Sequence, residues 1–218
     1  MLSDERLKAL REAAQDLLYL MDRGYRKEYA IRFVSDHYRL QRWERNVLNR
    51  VIHPTKYSAE ARAKLLQPSD IEGKTISIDG YNVLNTVIAG KRGLPLFEST
   101  DGIIRDISEI HASFKLTDET LKTALEVIEE TLQLKPKDIQ IYLDAQISKS
   151  GILAKKLREQ GAEVILTKHA DKTILADTNI IATSDSIIIE QKSKIFDLAG
   201  HICRKRSHKI VKLLEYHD

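Results

Sequence analysis

Apolar positions along the chain change their period near residue 70. Before it they recur at helical spacing: Leu7, Leu10, Ala14, Leu17, Leu18 and Met21 form one stripe. Ser3 stands where an N-cap is needed, Asp4 and Glu5 suit the first turn, and Gly24 follows the end, which predicts a helix over 3–22. A second helix is predicted at about 27–36 with Ala30, Phe33 and Val34 inward. A third runs from about 40 to 51, ahead of His53-Pro54, and a fourth from 58 to 66. Gln67-Pro-Ser-Asp70 then reads as a linker.

From Lys74 the pattern turns to short apolar runs at 75–78, 139–143, 162–167 and 179–183. Helical stretches are predicted between and around them at about 102–114, 118–134, 151–160 and 170–176, with another after Ser186. Residues 85–100 read as a long loop. Short apolar strands alternating with helices predict a parallel sheet covered on both faces. The expected fold is a three-layer α/β domain over 71–218, preceded by a small all-helical domain over 1–66.

Charge sharpens that division. Residues 1–66 carry 14 Lys and Arg against 9 Asp and Glu, whereas the remainder carries 21 against 23. A basic module beside a slightly acidic one suits a binder of polyanions joined to a carboxylate-lined centre, although a basic surface also serves solubility. The second and third helices, joined around His37-Tyr38-Arg39, are reminiscent of a helix-turn-helix unit. Arg39, Arg42, Arg45 and Arg50 gather on or beside the third helix with Trp43 among them. Guanidiniums with an aromatic ring offer phosphate contacts and base stacking. Core packing of Trp43, and pairing of the arginines with Glu44 and Asp36, are the alternatives. The single cysteine, Cys203, excludes an internal disulfide and fits a reducing cytoplasm. No apolar run reaches the roughly 20 residues needed to cross a bilayer.

The strand ends carry the candidate chemistry. Ile76 and Ile78 lead into Asp79-Gly-Tyr-Asn82, which places Asp79 at the carboxyl edge of the sheet, where ligands of open α/β folds bind. The next run ends in Asp144. Asp171 follows the third, and Thr183-Ser-Asp185 follows the fourth. Parallel strands share their carboxyl ends, so all four acids fall on one edge. A lone Asp there is ordinary helix capping, but four carboxylates repel one another and need a cation or shared protons. Mg²⁺ or Mn²⁺ suits such hard oxygen ligands and activates water for phosphodiester hydrolysis.

These motifs resemble those of PIN-like nucleases, in particular the NYN branch, with its strand-ending Asp-Gly-x-Asn. The resemblance covers roughly residues 74–200. The helical module in front is similar to that of a mainly archaeal, uncharacterised group of PIN-like proteins. The resemblance implies a metal-dependent endoribonuclease with Asp79, Asp144, Asp171 and Asp185 as metal ligands and Asn82 orienting a ligand or water. Only 14 positions separate Asp171 from Asp185, so Asp177 stands as a substitute third acid. No further acid follows Asp144 directly, so one metal or two remain open.

Phosphate-holding groups are expected nearby. Arg105, on a helix opened by Asp101, either clamps phosphate or pairs with Asp101 four residues before it; Asp106 is a further acid near that helix start. Ser148, Lys149 and Ser150 open a helix after Asp144, where a phosphate site and plain capping by Ser148 are equal readings. Ser184 either bonds phosphate or supports its turn. RNA is the expected partner, with a second copy of the chain admitted and no membrane. The rival readings are a non-catalytic RNA-binding or scaffold protein of the same fold, and a phosphatase. The haloacid-dehalogenase form of the latter needs an acid where Tyr81 stands.

Overall fold

The structure, a computed structural model, describes residues 3–107 and 114–215. The chain forms two compact units: residues 1–63, 95–107 and 209–218 in one, residues 64–94 and 108–208 in the other. The helical unit therefore takes up two segments from beyond residue 71 and is not all-helical.

That first unit contains α1 (Asp4–Asp22), α2 (Lys27–His37), α3 (Arg42–Val51) and α4 (Thr55–Arg62). Ser3 caps α1 by accepting from the Arg6 backbone N–H at 3.3 Å, and Leu10, Ala13, Ala14, Leu17 and Met21 form its buried stripe. On α2 the inward residues are Ala30, Val34 and Ser35, with Ile31 half-buried. Phe33 points away and is 70% exposed, against the sequence expectation. The buried face turns about Ala30 and Val34, four residues apart, and Ile31 takes the flank that Phe33 was expected to fill. Gln41 and Glu44 form a capping box at α3. Glu44 is buried and pairs with Arg6, whose Nε lies 2.8 Å from its carboxylate. Trp43 is on the surface, its indole N–H donating to Gln41, so the core-packing alternative is excluded.

A small sheet completes this unit. β2 (Leu96–Glu98) pairs antiparallel with β3 (Ile104–Asp106) and parallel with β7 (Ile210–Lys212). Phe97, Leu213 and Leu214 join the helical core. The expected helix from 102 is absent. Gly102, at φ +83°, turns the chain back from β2, and Ile103, Ile104, Arg105 and Asp106 are all buried. Four consecutive buried side chains suit a strand covered on both faces, not an amphipathic helix. Residues 108–113 of that expected helix lie outside the described residues.

The second unit holds β1 (Thr75–Asp79), α5 (Gly80–Lys91), α6 (Asp118–Leu132), β4 (Asp138–Asp144), α7 (Ser150–Arg158), β5 (Glu163–Thr167), α8 (Ala170–Ala176), β6 (Ile180–Ala182), α9 (Ser186–Gln191) and α10 (Leu198–Lys205). The four strands are parallel in the order β5-β4-β1-β6. The expected three-layer α/β architecture is present. α5 and α7 pack on the face of Ile141 and Leu143, and the segment leaving α8 packs on the face of Ser77 and Tyr142. The supposed loop at 85–100 contains the second half of α5 and all of β2; in α5 every residue from Gly80 to Gly90 except Asn82 is buried. No helix among the described residues is long and apolar enough to cross a membrane.

Candidate active site at the carboxyl edge of the sheet

α5 starts without an intervening loop, so Asp79 is at once the last residue of β1 and the N-cap of α5. Gly80 permits that junction. A Cβ there would stand 2.5 Å from a Leu143 methyl and 2.8 Å from the Tyr142 carbonyl oxygen, so only glycine lets the helix begin against β4. The Asp-Gly pair thus fixes where the carboxylate emerges.

Across the β1–β6 pair, Ile78 faces Ala182, and the next position sets Asp79 beside Thr183. The Thr183 hydroxyl donates to Asp79 Oδ2 at 2.8 Å. The Asp185 backbone N–H in turn donates to the Thr183 oxygen at 3.1 Å. Asn82 is spent on the same turn: its Oδ1 accepts from both the backbone N–H and the hydroxyl of Ser184, each at 2.8 Å. Asn82 therefore fastens α5 to the β6–α9 turn, and its oxygen is not presented to a ligand. The Ser184 hydroxyl likewise points to Asn82, in its turn-supporting reading. Asp79 and Thr183 thus lie side by side at the carboxyl ends of adjacent parallel strands, the edge at which open α/β sheets bind ligands.

Electrostatics single out Asp79. Its carboxyl is pushed up to about 7, first by burial and then by the charges of Asp171 and Asp185; the Thr183 and Asn82 hydrogen bonds oppose this. Asp185 caps α9 through Oδ1, accepting from Ile187 at 2.8 Å and Ile188 at 3.1 Å. Asp171 is exposed in the first turn of α8. Asp144 ends β4 and accepts from the Gln146 N–H at 2.8 Å; the Tyr81 phenol is raised to about 12, first by burial and then by the Asp144 charge. The Tyr81 hydroxyl has no hydrogen-bond partner among the described residues. No Lys or Arg pairs with Asp79, Asp144, Asp171 or Asp185 among the described residues.

The substitute acid is committed elsewhere. Asp177 Oδ2 accepts from Ser77 and from the Tyr142 hydroxyl at 2.7 Å, and Oδ1 accepts from the Asn179 N–H. These bonds hold its carboxyl below the usual range despite burial. Asn179 and Gln140 extend this polar network over the middle of the sheet. It stitches the segment after α8 onto the strands, and Asp171 is the acid whose charge acts on Asp79.

The donor chemistry fits a hard divalent cation: carboxylates in mutual electrostatic range, one buried, none neutralised by a base. Among the described residues, however, no group of three or more His, Cys, Asp or Glu lies together so as to hold a metal ion.

The expected phosphate-holding residues fare unevenly. Arg105 lies on β3 in the other unit. It forms a bidentate pair with Asp101, both bonds 2.7 Å, and the two side chains are almost wholly buried. The pairing alternative holds, on a hairpin and not on a helix, and Arg105 presents no guanidinium to a substrate. His53 and Lys27 surround that pair, and burial first, then Arg105, lowers both, Lys27 to about 8 and His53 to about 3. Ser148 is exposed and does not cap α7. The N-cap is Lys149, in a left-handed conformation at φ +64°. Ser150 is buried and donates to the Ala145 carbonyl at 3.4 Å. Arg42 and Arg45 are exposed on α3; Arg45 donates to the Leu40 carbonyl and lies 3.8 Å from Asp36. Sequence reasoning left Thr183 without a role, although its place in Thr183-Ser-Asp185 and strand alternation align it with Asp79.

Fold and site together define a three-layer α/β unit with acids at the carboxyl ends of its parallel strands, and a second, mainly helical unit. The chain belongs to the family described as a domain of unknown function (DUF5616), whose model matches residues 68–201. Residues 9–64 match a second model, a protein of unknown function (DUF434). Neither is a PIN or NYN family. The chain is similar to an uncharacterized protein of Methanocaldococcus jannaschii, 37% identical over 191 residues that span 85% of this chain and 91% of the relative. No solved structure matches it.

Proposed function

We propose that the chain is a cytoplasmic, Mg²⁺- or Mn²⁺-dependent endoribonuclease whose centre is built on Asp79. The observation that carries this reading is a half-buried carboxyl at the carboxyl edge of the sheet, raised to about 7 first by desolvation and then by two further acids, with no basic side chain to neutralise it among the described residues. Such strain in protonation is typical of functional sites. PIN-like resemblance of the Asp79-Gly-Tyr-Asn82 and Thr183-Ser-Asp185 motifs supports the same reaction class and supplies the preference for RNA.

Asp79, Asp171 and Asp185 would hold the cation, with Asp144 on the neighbouring strand end. A bound divalent ion would supply charge neutralisation and lower the pKa of a water, so that hydroxide is available to attack phosphorus near neutral pH. The Thr183 hydroxyl fixes one oxygen of the Asp79 carboxylate, and the Asp185 N–H keeps Thr183 in place. Asn82 holds the turn that carries Asp185. Ser148 and Lys149, exposed where α7 begins after Asp144, would meet phosphate.

A second reading, a non-catalytic RNA-binding protein of the same fold, draws on the absence of a ready three-carboxylate group among the described residues. Titration with Mn²⁺ followed by calorimetry separates the two. The nuclease reading expects saturable binding that Asp79→Asn and Asp185→Asn each weaken, and RNA cleavage well above hydrolysis of a generic phosphomonoester. A chain that binds neither Mn²⁺ nor Mg²⁺ is the scaffold. Preference for the phosphomonoester would indicate a phosphatase.

A further inference from the structure

The outward face of α2 carries side chains that its packing does not use. Tyr29 and Phe33 are 67% and 70% exposed. They stand one helical turn apart and about 100° round the helix from Ala30 and Val34, with Cβ atoms about 5–6 Å from each other. Arg26, the N-cap residue, and Arg32 flank the same face. Tyr25, 60% exposed, precedes them in the turn after Gly24. Among the described residues neither ring stacks on another ring, and neither Arg26 nor Arg32 has an ion-pair partner. Residues 23–45 hold seven Lys and Arg against three Asp and Glu, and one of those acids, Glu44, is neutralised by Arg6.

We propose that this face binds single-stranded RNA, with bases stacked on Tyr29 and Phe33 and the flanking phosphates held by Arg26 and Arg32. Each element answers a chemical feature of that ligand. Flat rings offer stacking to any base, because every base has a π-face. Both rings are more than half exposed and touch no other ring among the described residues, so each has a face open to a base. The excess of guanidiniums matches a polyanion, and arginine holds phosphate bidentately. A duplex fits poorly, because its bases are already stacked on each other. An acidic protein would meet the charge but leaves the paired, unstacked rings unexplained. The inference rests on RNA as the ligand of the proposed function, not on the carboxylates being active.

The test measures anisotropy of a short fluorescein-labelled oligouridine with the full chain carrying Asp79→Asn, in chelator, so that cleavage cannot intervene. Adding Tyr29→Ala with Phe33→Ala should weaken binding about tenfold or more, with the melting temperature unchanged because both rings are exposed. Arg26→Gln with Arg32→Gln should lower affinity and flatten its dependence on salt. Heparin, which offers charge without bases, should lose affinity with the arginine pair but not with the ring pair. The inference is overturned if the ring variant binds oligouridine as tightly as its parent, or if no oligouridine binding is found. It is also overturned if the ring variant instead changes the mass of the particle in light scattering, since the face would then be a protein interface. Cleavage by the unmodified chain is scored separately. An inactive chain whose RNA binding still depends on Tyr29 and Phe33 keeps this inference and removes the nuclease reading.

Discussion

Replacing Asp79 by asparagine should make the metal-free protein more stable, and increasingly so as pH rises. The Asp79 carboxyl is raised from 3.8 to about 7 in the folded chain. An acid raised in this way binds its proton more tightly folded than unfolded. Stability is therefore lost as pH climbs from the unfolded value through the folded one, the reverse of the usual paired carboxylate. A shift of about 3 units at about 1.4 kcal/mol per unit sets a ceiling of about 4 kcal/mol. Partial exposure and local relaxation reduce this to about 1–3 kcal/mol. Asparagine keeps an oxygen that accepts from the Thr183 hydroxyl, so the hydrogen bond survives while the charge goes. Urea unfolding in chelator should show a small gap between variant and wild type below about pH 4, a gap that widens through about pH 5–7, and the full gap near pH 8. A gap that stays constant, or shrinks with rising pH, would refute an uncompensated buried charge at this position. Saturating Mn²⁺ should stabilise the wild type and close much of the gap.

Two further substitutions test the scaffold. Arg105→Met strands the buried Asp101 carboxylate and should cost about 3–5 kcal/mol in urea unfolding, far more than loss of an exposed arginine; a cost under about 1 kcal/mol would return Arg105 to the list of substrate residues. Gly80→Ala drives a Cβ into Leu143 and the Tyr142 carbonyl, and should cost about 1–3 kcal/mol with a lower thermal midpoint, whereas an unchanged midpoint would mean that the β1–α5 junction yields freely.

How much of this was legible in the sequence follows from the range of the forces involved. The strand ending in Asp79 declares itself, because its apolar run and the Asp-Gly break lie within a few residues. The parallel sheet was legible from the same local alternation. α5 was not: it is buried nearly all round, so it shows no amphipathic period, and its opening Asp-Gly imitates a turn. β3 was mistaken for helix because Ile103 and Ile107 keep helical spacing and Asp101–Arg105 is a good i,i+4 pair. That pair forms, but around a hairpin turn at Gly102. Phe33 was assigned inward on hydrophobicity alone, when Ala30, Ile31 and Val34 already complete the buried face. Within the site, the acids were visible as strand-end residues. Their partners were not, because Asp79–Thr183 and Asn82–Ser184 join residues more than a hundred positions apart. Asp177 shows the limit of reading acids alone. It is as acidic on paper as Asp171, yet Ser77 and Tyr142 claim it.

The most direct test of the central claim is Mn²⁺-dependent cleavage of a mixed-sequence single-stranded RNA by the wild-type chain beside Asp79→Asn, at matched concentration and confirmed folding. The account predicts internal cleavage by the wild type that chelator stops and that falls at least about a hundredfold in the variant. Equal cleavage by both proteins, or none by either at any Mn²⁺ concentration, would contradict an Asp79-centred nuclease.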